Sequence, residues 1–122
     1  MTKKNVLALG LDPVFADFTQ LPGLTPELIN AFIGSQLDRL RALGYEVESC
    51  LVDLGETAEA VVKQHLDSQT FDCVMIGAGL REPPQLLLFE RLINLVHERA
   101  PNAKICFNTK PADTAEAVQR WI

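Results

Sequence analysis

The chain has 122 residues, 48% hydrophobic and 22% charged, with a formal net charge of −5 from 11 Lys and Arg against 16 Asp and Glu. Residues 1–122 make one domain with a single core, and the composition excludes disordered and fibrous classes. The acidic balance argues against nucleic acid and anionic membrane surfaces as partners, and no segment approaches the ~20 apolar residues of a membrane span.

Asn5–Gly10 reads as a first strand, because Val6, Leu7, Ala8 and Leu9 form a continuous apolar run of the kind buried on both faces. The run Val6–Leu11 is too short for the apolar core of a secretory leader. A loop of about 14 residues follows, Leu11 to Leu24, broken by Pro13, Pro22 and Gly23; most strand-to-helix connections need about 2–6. Thr25-Pro26-Glu27 then starts a helix with a hydroxyl cap, a proline at the first position and an early acid. Leu28, Ile29, Phe32, Ile33, Leu37 and Leu40 form its expected apolar stripe, and Gly44 is its stop.

Tyr45–Leu54 is a second strand whose Glu46 and Glu48 alternate with Val47 and Ser49, as on a half-exposed edge. Thr57 caps a helix to about Ser68, with Ala58, Val61, Val62 and Leu66 inward. Phe71–Gly77 is a short apolar third strand. Pro83-Pro84 opens a third helix to about Arg99, rich in Leu, and Pro101 ends it. Ala103–Phe107 is a fourth strand. Asp113-Thr114-Ala115-Glu116 reads as a capping box for a last helix with Val118, Trp121 and Ile122 inward.

Four strands alternating with four helices predict a three-layer αβα sandwich with a parallel sheet. Right-handed crossovers favour the strand order 2-1-3-4, the flavodoxin-like arrangement. In such sheets ligands lie outside the carboxyl ends of the strands at the topological switch point, here between strands 1 and 3. The residues expected there are Gly10 and Asp12 after strand 1, Gly77, Ala78, Gly79 and Arg81 after strand 3, and Asn108 and Thr109 after strand 4. Asp53 and Lys110 end the neighbouring segments.

Glycine amides and Arg81 suit an anion, and Asp12 and Asn108 suit hydroxyls, so a small anionic or polar ligand is the expectation. Each residue also has a plainer role. The glycines permit a sharp turn, Asp12 initiates one before Pro13, and Arg81 pairs with Glu82 or Glu90 on the surface.

Reaction signatures are absent. No G-x-G-x-x-G follows strand 1, and there is no G-x-x-x-x-G-K-[ST] or G-x-S-x-G. His65 and His97 fall within helices, away from strand ends and from metal-ligand spacing, so no metal site, cofactor or reaction is assigned. Cys50, Cys73 and Cys106 lie in apolar runs with no C-x-x-C pair, which predicts buried free thiols in a reducing cytoplasm.

Asp72-Cys73-Val74-Met75-Ile76, Glu98-Arg99-Ala100-Pro101 and Lys110-Pro111 resemble a response-regulator receiver domain over most of the chain. The resemblance implies a third strand ending in a phosphoacceptor aspartate, but Gly77 stands there, and the acidic pair after strand 1 is reduced to Asp12. Lys110-Pro111 also follows strand 4, whereas the receiver lysine follows a fifth strand. A relative so altered has lost its nucleophile.

The chain also resembles, nearly end to end, a group of small uncharacterised single-domain bacterial and fungal α/β proteins. The resemblance is carried by Gly55–Val62, Phe71–Val74, Phe89-Glu90, Leu92–Asn94, Val96–Glu98, Cys106–Thr109 and Asp113–Trp121. It implies an independent domain and adds no reaction. The alternative to ligand binding is a protein-interaction module or homodimer, motivated by four consecutive apolar residues, Leu86–Phe89, on helix 3.

Overall fold

The structure, a computed structural model, describes residues 3–18 and 22–122. Its strands are β1 (Asn5–Leu11), β2 (Glu46–Val52), β3 (Cys73–Ile76) and β4 (Lys104–Phe107), and its helices are α1 (Pro26–Ala42), α2 (Ala58–Ser68), α3 (Leu86–Arg99) and α4 (Thr114–Gln119). The sheet is entirely parallel, in the order β2-β1-β3-β4. Val6 lies opposite both Val47 and Cys73, and Val74 opposite Ile105. With helices on both faces, this is the three-layer, flavodoxin-like arrangement that the alternation of elements predicts.

Residue parity divides the core in two. Leu7, Leu9, Cys50, Val52, Val74 and Ile76 point to one face and pack under α2 and α3, through Val62, Leu66, Leu88, Leu92 and Val96. Val6, Ala8, Cys73, Met75 and Cys106 point to the other, under Leu37 and Leu40 of α1 and Ala115, Ala117 and Val118 of α4. The acids of β2 fit its place at the sheet edge, where Glu46 is exposed and Glu48 half-buried.

The ends of α1 follow the sequence signals closely. Thr25 Oγ1 accepts from the Leu28 amide at 3.2 Å, and Gly44 takes φ +102°, a left-handed conformation that side chains resist.

Several expectations give way to local competition. In α1 only Leu37 and Leu40 are fully buried, while Leu28 and Phe32, one position off the inward line of Ile29 and Ile33, are exposed. The Thr57 hydroxyl does not cap α2; it donates to Asp53 Oδ2 at 2.6 Å. Pro83-Pro84 forms a separate 3-10 turn with Gln85, so α3 begins only at Leu86.

The capping box at Asp113 does not form either, because that carboxylate turns back to accept from the Thr109 amide, the Thr109 hydroxyl and the Lys110 amide. Glu116 pairs instead with Arg39 at 2.7 Å. Trp121 lies beyond the end of α4 at Gln119 and is 54% exposed rather than inward. Among the described residues no helix is long and apolar enough to cross a membrane.

Candidate functional site

On one face of the sheet the lines of side chains from both central strands end in glycine. On the α1 side, β1 presents Val6, then Ala8, then Gly10, and the line from β3 runs Cys73, Met75, Gly77. On the opposite face the same strands carry the large side chains Leu9 and Ile76, both fully buried. The central strands therefore pack tightly against α2 and α3 but leave a gap beneath α1 where they end.

That gap is a cavity of about 190 Å³ at the carboxyl ends of β1 and β3. Ile29, Ile33 and Leu37 form its wall from α1, Leu51 flanks it from β2, and Met75 lines it from β3. Part of the long loop after β1 closes over it: Asp12 caps a 3-10 turn at Pro13–Phe15 through the Val14 amide at 3.1 Å, and Pro13, Ala16 and Phe18 line the hollow. Residues 19–21 of that loop lie outside the described residues. Pro111, Thr114 and Asn108 line it from the β4–α4 connection.

The glycines here are not required by the backbone. Gly77 has φ −72°, and Gly10 is not among the positive-φ glycines. A Cβ on Gly10 would meet only Leu51 Cδ2, at 3.6 Å. Glycine in a strand costs roughly 0.5–1 kcal/mol relative to alanine, and at Gly10 the return for that cost is empty space.

Of the eight expected site residues, the fold brings Gly10, Gly77, Ala78, Gly79 and Asn108 to the cavity lining. Asp12, Arg81 and Thr109 do not line it. The Asp12 carboxylate is committed to its turn, and the Thr109 hydroxyl to Asp113.

Arg81 turns to the other side of the sheet. Its Nε donates to the Ile76 carbonyl at 3.3 Å, its Nη2 donates to both the carbonyl and Oδ1 of Asn108, and its guanidinium lies 5.0 Å from the centre of the Phe107 ring. Phe107 in turn meets Phe89 edge-on at 5.7 Å. Arg81 thus ties the ends of β3 and β4 together. Asp53 has a comparable local role, accepting from the Gly55 and Thr57 amides; the Thr57 hydroxyl first, and then the Gly55 amide, hold its carboxyl below the usual range.

The buried polar side chains of the lining are engaged within the protein. Asn108, only 4% exposed, donates to Thr114 Oγ1 at 3.1 Å, and that hydroxyl donates to the Pro111 carbonyl at 2.7 Å. No charged side chain lines the hollow among the described residues. An ion placed there would meet no charged side chain to offset the hydration it loses. The lining apolar residues, which strand-end reasoning passed over, were signalled by the Val6-Ala8-Gly10 taper and by Ile29 and Ile33.

Elsewhere, His65 contacts Glu48 on the α2 side, and among the described residues no three metal-ligating side chains cluster. The three cysteines are buried and free. Cys73 and Cys106 face each other with Sγ atoms 3.4 Å apart, and the hydrogen bond to Cys106, together with burial, pushes the Cys73 thiol up. No protein-family model matches the chain, and no curated protein matches it significantly.

Proposed function

We propose that the protein is a small-molecule-binding domain whose ligand occupies the hollow at the carboxyl ends of β1 and β3. The observation that carries this reading is Gly10, a strand glycine that the backbone does not demand and whose missing side chain opens the cavity. The position supports it too, since open parallel sheets bind ligands at the switch point. Catalysis forms no part of the proposal. A cytoplasmic location does, and it rests on three buried cysteines that are all free thiols.

The ligand chemistry shifts from the sequence expectation. With Arg81 committed elsewhere the hollow offers an anion no side-chain cation, and with Asp12 and Thr109 held in their own turns it offers a hydroxyl neither of those partners. A thermal-shift screen against metabolites and nucleotides tests the reading. A true ligand at a hundredfold excess over its Kd adds about 2.7 kcal/mol of stability, and Gly10→Val removes the effect. A screen in which no compound stabilises the protein or shifts the Gly10 and Gly77 amide resonances overturns it.

A second reading, a protein-interaction module of pseudo-receiver type, is favoured by Leu86 and Leu87. These stay 58% and 72% exposed while Leu88 is buried. It predicts self-association or partner capture that Leu87→Glu abolishes. Light scattering showing the same monomeric mass for both proteins at high concentration, with no partner recovered, refutes it.

A further inference from the structure

Resting on that reading, we infer that the ligand is an uncharged aromatic compound of one or two rings. Size sets the first limit. A sealed cavity of ~150 Å³ lined by aliphatic and aromatic side chains takes benzene, and this hollow, partly open to solvent, is about 190 Å³. Charge sets the second. No charged side chain lines the hollow among the described residues, and the Arg81 guanidinium, just past the end of β3, is held by Ile76, Asn108 and Phe107.

Hydrogen bonding sets the third limit. Asn108 donates to Thr114 and accepts from Arg81, and Thr114 donates to the Pro111 carbonyl, so both side chains are already engaged within the protein. The walls then favour a ring over an aliphatic chain. Met75 presents a polarisable thioether to the cavity, and Phe18 an aromatic face or edge, both of which pair favourably with an aromatic ring.

The test uses the full ¹⁵N-labelled chain and three probes: indole, indole-2-carboxylate, which is the same ring bearing a negative charge, and xenon. Indole is expected to shift the Gly10, Gly77 and Asn108 amides and to bind at least about tenfold more tightly than the carboxylate. Gly10→Val is expected to weaken indole by a similar factor with an unchanged circular dichroism spectrum. Should that variant not fold, Gly10→Ala gives the same loss in smaller measure.

Equal or tighter binding of the carboxylate at these amides overturns the inference and leaves the site standing. Xenon shifts without indole shifts do the same. If no probe moves these resonances, the binding site itself falls.

Discussion

Gly10→Ala is the sharpest test of whether the hollow is real. Gly10 lies in β1 opposite Leu51, with no positive φ, so alanine fits the backbone. The added methyl would find Leu51 Cδ2 at 3.6 Å and otherwise open space, an ordinary contact rather than a clash. Two effects then act in the same direction. Restricting the unfolded chain contributes about 0.4–1 kcal/mol. Burying one methyl against apolar walls adds up to ~0.8 kcal/mol.

The variant should therefore be more stable by about 0.5–2 kcal/mol, read from urea unfolding with an unchanged m-value. For a chain of this length that raises Tm by roughly 2–7 °C. A neutral or destabilised Gly10→Ala with the same m-value refutes the reasoning, because it means the space is already filled or the glycine is conformationally required.

Gly44→Ala should behave oppositely, losing about 1 kcal/mol or more in the same urea assay because φ is +102° there. Arg81→Ala should cost about 1–3 kcal/mol by stranding the Asn108 carbonyl and the Phe107 face, and Arg81→Lys should recover less than half, since an ammonium cannot serve three partners at once; a loss under ~0.5 kcal/mol contradicts the assignment. Cys50 should make the protein alkali-sensitive. Burial, with Glu48 nearby, raises its thiol from 9.0 to about 11, so the unfolded chain ionises first and stability present below pH 9.0 drains away towards pH 11. The loss is roughly 2–3 kcal/mol, and urea unfolding of Cys50→Val should show a correspondingly shallower decline over that range.

The sheet was legible because its signals are periodic and redundant. Four apolar runs separated by helical stripes leave few topologies once crossovers are right-handed. The acids of β2 marked the edge, and Gly44 marked a helix end that only φ above zero satisfies. Side-chain direction beyond a strand end was not legible. Past Ile76 the chain enters a 3-10 turn, Ala78–Arg81, and that turn carries Arg81 to the Phe107 side of the sheet.

Asp113 failed as a cap for a related reason. One carboxylate faced two sets of amides, and those of Thr109 and Lys110 hold it. Trp121 was misplaced because the helical period was extended past Gln119, where the helix has ended. The cavity, by contrast, was legible in β1 itself: every second residue from Val6 loses bulk, and a period of two was already the basis for reading a strand.

Arg81 links the two faces that parity separates. Its guanidinium packs on Phe107, while its hydrogen bonds fix Asn108, which lines the hollow and holds Thr114 in turn. The residue expected to bind a ligand's charge thus acts at one remove, as a brace for a wall of the cavity. Arg81→Ala should accordingly weaken an uncharged ligand only as far as Asn108 loosens, by a factor that ionic strength does not alter. Direct charge recognition would instead weaken steadily with added salt. Titrating one ligand into wild type and variant at low and high salt separates the two roles: parallel losses at both salts fit the brace, and a wild-type advantage that vanishes at high salt refutes it.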